Sequence, residues 1–279
     1  MPGSPAGPQG ESVRSSAVSA SATANEPMPG RAGPLDGAAE VWWARREDAA
    51  AGLTGLLDDG ERQRWKRYRL AGDRDRFLAG CALTKVVLAR HTGQRPADVS
   101  LDRTCGRCAA PHGRPVVNGC DLAVSVTHSG DLIAVAVASG MPVGVDVERS
   151  CARPWLAGGT GGFERAARFV LSDGERAELA ACDDPARAVL VAWTRKEAVT
   201  KATGDGLGVP FSRVVVSAAG GRPRVIAWPY PDSPAGVRLF DVGAAPGYAA
   251  CVAVIGDCER VRVHDGAPLL RRAERTGAQ

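Results

Sequence analysis

One short segment of the chain, "WTRKEAVTKATGDGL" at residues 193–207, carries an aromatic ring, a carboxylate and an ammonium group at regular spacing. Trp193, Glu197 and Lys201 follow one another at intervals of four residues, so in a helix they lie near one face and drift by about 40° per step. One interpretation is a surface helix whose Glu-to-Lys pair contributes about 0.2–0.5 kcal/mol. The other is a catalytic helix that presents one carboxylate and one ammonium group to a substrate.

A second pair of acids lies upstream, in "VGVDVERS". Asp146 and Glu148 are two residues apart in a predicted strand, so both side chains lie on one face and the intervening valines lie on the other. Two neighbouring carboxylates repel each other, and Mg²⁺ relieves that repulsion because it prefers hard oxygen ligands. The alternative is a half-exposed strand whose acids face water. A third carboxylate, from Glu197, favours the metal site.

A third cluster of polar groups occurs in "CGRCAAPHGRP", which contains Cys105, Cys108 and His112, with Cys120 further along. The C-x-x-C spacing is common in zinc sites, but one histidine and one distant cysteine complete the ligand set poorly. We therefore favour thiols in a loop without a metal. A structural Zn²⁺ at Cys105, Cys108 and His112 is the alternative.

Composition excludes several classes of protein. The 279 residues are 44% hydrophobic, which suits one large domain or two small ones with a true core. The sequence has neither a run of about 18 apolar residues nor a secretory leader, so we expect a cytoplasmic protein that does not span a membrane. The net charge of +4 is too mild for a general nucleic-acid binder. It leaves room for a basic patch that faces a phosphorylated small molecule or an acidic protein.

Periodicity predicts helices followed by antiparallel strands, twice in similar order. Two helices are predicted within 56–93, three strands within 121–150, a helical stretch within 163–182, a helix at 184–204, and a strand meander at 211–256. The hairpins "LAVSVTHSGDLIAVAVAS" and "VRLFDVGAAPGYAACVAVIG" look like counterparts. The predicted fold is therefore α+β, with two similar halves related by a pseudo-twofold axis, each a small antiparallel sheet packed with helices.

The predicted divisions follow from the same pattern. Residues 1–39 are rich in Pro, Gly, Ser and Ala and bury too little apolar surface to offset their ordering entropy, so they form a disordered extension. Residues 40–145 form the N-terminal half, 146–264 the C-terminal half and 265–279 a tail.

The two acidic motifs together resemble the signature of the 4′-phosphopantetheinyl transferases, and most closely the larger two-subdomain type that serves polyketide, nonribosomal peptide and siderophore synthetases. The family pattern G-[IV]-D-[IV]-E matches residues 144–148, and W-[ST]-x-K-E-[AS]-x-x-K matches residues 193–201, with G-x-G-L at 204–207. The resemblance spans roughly residues 42–256. It departs from the family in the segment "VSVTHSGD", where Ser125 replaces an asparagine and Thr127 replaces a serine.

The resemblance implies a fold, a reaction and a set of residues. The reaction moves the 4′-phosphopantetheine arm of coenzyme A to a serine of an apo acyl or peptidyl carrier protein and releases adenosine 3′,5′-bisphosphate. The N-terminal half would contact the nucleotide, and the C-terminal half would hold the metal and the catalytic helix. The implied metal is Mg²⁺, with Mn²⁺ as the alternative, and its implied ligands are Asp146, Glu148 and Glu197.

Within that scheme Glu197 takes the serine proton, directly or through a metal-bound water, and Lys201 meets the α-phosphate and stabilises the leaving oxygen. Glu175 matches an acid of the family weakly and would help the base or orient the metal. The implied coenzyme A contacts are Arg64, Arg76, Arg114, Thr127, His128, Lys196 and Lys201.

The expected partners are coenzyme A and an apo carrier protein, with no nucleic acid and no membrane. Such carriers are acidic helical bundles, which suit a basic, slightly apolar docking surface. We expect a monomer, because two fused halves can form one active site at their interface. The alternatives from other classes are a non-catalytic relative that binds coenzyme A or a carrier without turnover, and a zinc-ribbon nucleic-acid binder. All three acids and Lys201 are present, which argues against catalytic decay.

Overall fold

The computed structural model describes residues 35–106, 108–111, 113–150, 159–231 and 234–277. Most of the predicted disordered extension lies outside the described residues, and the first strand begins at Ala38. The helices are α1 (Asp59–Arg67), α2 (Ala71–Thr92), α3 (Gly159–Val170), α4 (Asp173–Glu178), α5 (Pro185–Thr203) and α6 (Ala267–Gly277). The strands are β1 (Ala38–Arg45), β2 (Leu101–Asp102), β3 (Val116–Val117), β4 (Leu122–Ser129), β5 (Leu132–Ser139), β6 (Val143–Arg149), β7 (Val215–Val216), β8 (Val225–Ala227), β9 (Val237–Asp241), β10 (Tyr248–Ile255) and β11 (Arg260–Asp265).

These strands form two main sheets and a small β7–β8 ribbon. The first sheet has the order β11-β1-β5-β4-β3-β2, and the second has the order β6-β10-β9. Neighbouring strands pair antiparallel except β1 and β11, which run parallel. The predicted α+β class is confirmed, with helices packed on small sheets. Within the described residues, no helix combines the length and the apolar character needed to cross a membrane.

The C-terminal segment returns to the N-terminal half, which the sequence pattern did not predict. Ala38 of β1 lies opposite Arg260 of β11, so residues 260–264 belong to the first sheet rather than to the C-terminal half. The predicted tail is the packed helix α6, whose Leu269 and Leu270 are buried in the core beneath α2. A parallel pair between the two ends of the chain leaves no local pattern in the sequence, because its partners are far apart.

Each main sheet carries one long helix. Helix α2 packs on β5 and β4 of the first sheet, and α5 packs on β6 and β10 of the second. Between the two sheets the contact is made by small side chains, with Ala134, Ala136 and Ala138 of β5 in one buried cluster with Val143 and Val145 of β6. This close contact between the sheets brings β4 beside β6.

Local signals fix both ends of α5 as the sequence predicts. The Asp184 side chain accepts a hydrogen bond from the Arg187 N–H, and Pro185 occupies the first turn. Gly204 ends the helix with φ +86°, a conformation that glycine adopts without the steric cost that a Cβ imposes. The helix therefore presents residues 193–201 in a fixed register against β6.

Candidate active site

Alternating hydroxyl groups of β4 hold the two acids of β6. Thr127 Oγ1 donates to Asp146 Oδ1 at 3.0 Å, and Ser129 Oγ donates to Glu148 Oε2 at 2.8 Å. Both carboxylates are buried. Because side chains at alternate positions of a strand share a face, the two hydroxyl groups of β4 face β6, and each contacts one of its two acids. The contacts join the two sheets where the sequence predicted a functional strand.

The ammonium group of Lys201 reaches the first of these acids. Its Nζ donates to Asp146 Oδ1 at 2.7 Å and to the Val145 carbonyl oxygen at 3.1 Å. Gly144 permits this approach of α5, because a Cβ at that position would lie 2.0 Å from the carbonyl oxygen of Ala198. The structure therefore brings Asp146 and Lys201, predicted from separate motifs, into direct contact.

The predicted three-carboxylate metal site is not assembled as such. Within the described part of the chain, no group of three or more His, Cys, Asp or Glu side chains is arranged to hold a metal ion. Lys201 and Thr127 bind one oxygen of Asp146, and Ser129 binds Glu148. These contacts engage Oδ1 of Asp146 and Oε2 of Glu148, which the sequence motif does not reveal.

The acids nevertheless fit a cation that receives some of its ligands from the protein and the others from a substrate. Asp146 Oδ2 is buried without a hydrogen-bond partner, which is costly for a carboxylate oxygen unless a ligand satisfies it. Mg²⁺ commonly binds through one or two carboxylates and completes its shell with substrate phosphates and water. Asp146 and Glu148 share one face of β6, and the half-buried Glu197 lies on the helix that packs against it. The donor set is therefore suited to Mg²⁺ bound together with a phosphate ligand.

Positive charge gathers at the end of β4. The His128 side chain is exposed, yet displacement of water by the surrounding atoms lowers the pKa of its imidazole. The positive charges of Arg76 and Lys201 lower the pKa further, whereas Asp73 opposes the shift. Arg76 also donates from Nη1 to the Gly130 carbonyl oxygen at 3.1 Å. This grouping of Arg76, His128 and Lys201 suits an anionic ligand.

Two other predicted arginines lie in different surroundings. Arg114 Nη1 donates to the Ala202 carbonyl oxygen at 3.0 Å, and burial lowers the pKa of its guanidinium. It therefore lies at the end of α5 that carries Lys201. Arg64 is exposed on α1, with its guanidinium carbon 5.4 Å from the centre of the Phe77 ring. No contact that the structure describes joins Arg64 to the carboxylates.

The predicted coenzyme A contact of Lys196 is not available. Its side chain is fully buried, and Nζ donates to Glu175 Oε2 at 2.7 Å, to the Val170 carbonyl at 2.7 Å and to the Phe211 carbonyl at 3.1 Å. Burial lowers the pKa of this ammonium, and Glu175 opposes the shift. Three protein acceptors use all three of its protons. Lys196 and Glu175 thus hold α5 in the core, and neither acid–base help nor metal orientation from Glu175 is consistent with this contact.

The predicted phosphate contact of Thr127 also needs correction. A threonine hydroxyl has one proton to donate, and Thr127 gives it to Asp146. A phosphate oxygen requires that same proton, so Thr127 positions the carboxylate instead.

The predicted zinc alternative involves Cys105, Cys108 and His112. Of these residues, His112 lies outside the described part of the chain. Cys105 and Cys108 form no disulfide.

Comparison with known proteins finds similarity over the part of the chain that carries the two acidic motifs. Residues 142–253 match the family model of the 4′-phosphopantetheinyl transferase superfamily. The chain is 28% identical over 192 residues to a phosphopantetheinyl transferase of Thraustochytrium sp., covering 63% of this chain and 64% of that protein. It is 26% identical over 206 residues to a 4′-phosphopantetheinyl transferase of Bacillus subtilis, covering 73% and 85% respectively. Over residues 142–253 the chain is therefore similar to the 4′-phosphopantetheinyl transferase superfamily.

The match includes both signature motifs of the phosphopantetheinyl transferases, and it ends within β10. The alignment spans just under two thirds of the Thraustochytrium protein. A solved holo-[acyl-carrier-protein] synthase from Neisseria meningitidis is 18% identical, with a TM-score of 0.36, covering 41% of this chain and 97% of that one.

The departure from the family pattern at residue 125 has a structural role. Ser125 Oγ accepts a hydrogen bond from the Val145 N–H at 3.1 Å, so it adds a third contact between β4 and β6. The sequence analysis gave Ser129 no role. The hydroxyl groups at alternate positions 125, 127 and 129 are the sequence signal for this contact between the strands. Tyr248, which contacts the turn after Ser129, had no signal in the sequence.

Proposed function

We propose that this protein transfers the 4′-phosphopantetheine arm of coenzyme A to a serine of an apo acyl or peptidyl carrier protein and releases adenosine 3′,5′-bisphosphate. Its targets would be carrier domains of polyketide or nonribosomal peptide synthetases. The observation that carries the proposal is the 2.7 Å contact between Lys201 Nζ and Asp146 Oδ1. It joins an ammonium of one signature motif to a buried carboxylate of the other, at a place suited to a phosphate.

The reaction is an in-line displacement at phosphorus. The serine oxygen forms a bond to the phosphorus of the pantetheine arm, and the bond from that phosphorus to the oxygen of adenosine 3′,5′-bisphosphate breaks. Glu197 accepts the serine proton, and the ammonium of Lys201 stabilises the negative charge on the leaving oxygen. Such transfers depend mainly on positioning and charge neutralisation, which preorganised side chains supply.

A divalent cation would be held by Asp146 and Glu148, with Glu197 as a further ligand. We propose Mg²⁺, with Mn²⁺ as the alternative, because the donors are hard carboxylate oxygens. When bound, the ion neutralises diphosphate charge. The buried Oδ2 of Asp146, which has no hydrogen-bond partner, supports this assignment.

The phosphates of coenzyme A would be met by the imidazole and the guanidinium groups around the end of β4. His128 and Arg76 lie beside one turn, and Arg114 lies at the end of α5. Guanidinium groups suit phosphates because they donate two parallel hydrogen bonds. Arg64 is the remaining candidate for the 3′-phosphate. The protein would act as a monomer in the cytoplasm, where coenzyme A and carrier domains occur together.

The test is transfer to purified carriers. The protein is incubated with coenzyme A, Mg²⁺ and apo acyl or peptidyl carrier proteins, and each carrier is weighed by mass spectrometry. We expect the mass of at least one carrier to rise by one phosphopantetheine, and no gain in a carrier whose acceptor serine is alanine. Asp146→Asn should abolish the gain, whereas Asp121→Asn, at an exposed position, should not. Coenzyme A binding by calorimetry without mass gain in any carrier would favour the non-catalytic alternative.

A further inference from the structure

The turn between β4 and β5, residues 129–131, is held by the C-terminal half of the chain. The Asp131 N–H donates to Tyr248 Oη at 3.1 Å. Arg149 Nη1 lies 3.5 Å from Asp131 Oδ2, and its guanidinium carbon lies 5.9 Å from the centre of the Tyr248 ring. Residues of β6 and β10, in the second sheet, therefore bind a turn that belongs to the first sheet.

Gly130 allows this close fit. Its φ of +56° lies in the left-handed region, and a Cβ there would lie 2.5 Å from Tyr248 Oη and 2.6 Å from Cδ of Arg149. On the other side, Arg76 Nη1 donates to the Gly130 carbonyl oxygen at 3.1 Å. The turn is thus fixed from both halves of the chain, with Tyr248 supplying the contact from β10.

Groups of the proposed site lie at the start of this turn. His128 immediately precedes the turn, and Ser129, its first residue, donates from Oγ to Glu148 Oε2 at 2.8 Å. Ser129 Oγ also accepts from the Arg149 N–H at 3.1 Å. A displacement of the turn would therefore move the imidazole of His128 together with the hydrogen bond to Glu148.

We propose that Tyr248 is a positioning residue for coenzyme A binding. Its hydroxyl group fixes the 129–131 turn so that His128 faces the phosphates of the bound nucleotide; this rests on the proposed function. The tyrosine acts through the turn and does not touch the substrate. Its ring packs against the buried cluster of Leu132, Val147 and Ala250, so the ring stays in place when only the hydroxyl group is removed.

The first test is Tyr248→Phe with kinetic and calorimetric measurements. We expect the KM and the Kd for coenzyme A to rise about 3–10-fold, which corresponds to the loss of one hydrogen bond. We expect kcat to change less than about twofold, because the lost interaction holds substrate and transition state equally. Tyr230→Phe, at an exposed tyrosine outside the site, is the matched control and should leave all three constants unchanged.

The second test is hydrogen exchange of the Asp131 amide, which needs no turnover. Tyr248→Phe should speed exchange of this amide about tenfold and leave the amide of Val137, inside β5, unchanged. Unchanged exchange at Asp131 overturns the contact, and faster exchange with an unchanged Kd for coenzyme A overturns the positioning role. A wild-type protein that binds coenzyme A but modifies no carrier counts against the proposed function alone, because the Kd still tests Tyr248.

Discussion

Lys196 donates a 2.7 Å hydrogen bond to Glu175 in the core of the C-terminal half. Lys196 directly precedes Glu197, the carboxylate that the signature motif assigns to catalysis. The N-terminal half repeats this arrangement, with Lys85 Nζ 3.0 Å from Glu61. In each half the glutamate also completes a capping box at the start of its own short helix. The sequences around the two acids, LDDGER at 57–62 and LSDGER at 171–176, differ at one position. Each half thus has a buried lysine paired with the glutamate of a capping box, which supports the interpretation of two related halves.

The first prediction concerns the stability that this buried pair provides. Lys196→Met should lower the free energy of unfolding by about 3–5 kcal/mol, because the Glu175 carboxylate then stays buried without its cation. Urea unfolding, with the slope compared between variants, measures the change. Arg95→Met breaks the exposed pair with Asp98 and should lower the free energy of unfolding far less, because water screens both charges. Equal losses in the two variants would contradict a structural role for Lys196.

The second prediction concerns the contact between α5 and β6. Gly144→Ala places a Cβ 2.0 Å from the Ala198 carbonyl oxygen and 2.6 Å from the Ala202 nitrogen, both backbone atoms that cannot rotate away. We expect a loss of unfolding free energy of about 3 kcal/mol or more, since the helix must move off the strand. Thermal or urea unfolding measures it.

Gly174→Ala is the matched control for that variant. Gly174 lies in α4, and nothing lies within 4 Å of the position of an added Cβ. Alanine is favoured over glycine in a helix by about 0.5–1 kcal/mol, so this variant should be as stable as the wild type or more stable. A Gly144→Ala protein with wild-type stability would show that α5 does not depend on this close approach.

The sequence predicted the elements that carry the motifs better than it predicted their surroundings. The cap at Asp184 and the stop at Gly204 are local signals, and both lie at the ends of the predicted helix 184–204. Lys196 was misjudged because α5 is buried around most of its circumference, so a charged residue in it need not face the solvent. The roles of Tyr248 and of β11 depend on contacts between distant parts of the chain, which periodicity does not record.

The third prediction concerns Lys201 in transfer. Lys201→Met should lower kcat for phosphopantetheine transfer by about 10²–10³-fold, because one preorganised cation at the developing charge is lost. Steady-state kinetics with an apo carrier measure the effect, and a thermal unfolding curve shows whether the fold is retained. Arg222→Met removes an exposed positive charge outside the site and should leave kcat unchanged. A loss below about threefold in Lys201→Met would remove this lysine from the proposed mechanism.

The fourth prediction concerns a buried carboxylate far from the motifs. Glu40 of β1 accepts hydrogen bonds from Trp42 Nε1 at 3.0 Å and from His91 Nε2 at 3.2 Å, and His264 of β11 lies 3.8 Å away. Burial raises the pKa of Glu40, but the hydrogen bonds from His91 and Trp42 and the charges of the two histidines outweigh it. The net pKa therefore lies below the ordinary value of 4.5. The charged form of Glu40 thus stabilises the packing of β1 against α2 and β11.

A carboxylate whose pKa is lower in the folded state stabilises the fold above its unfolded pKa, and this contribution disappears as the pH falls through the folded pKa. Glu40→Gln should therefore cost about 1.5–3 kcal/mol of unfolding free energy at pH 7, and the difference from wild type should shrink below pH 4.5. Urea unfolding across this range measures both values. Glu47→Gln, at an exposed position, should match wild type throughout. A difference for Glu40→Gln that stays constant with pH would mean that its charge does not contribute, and that only the shape of the side chain matters.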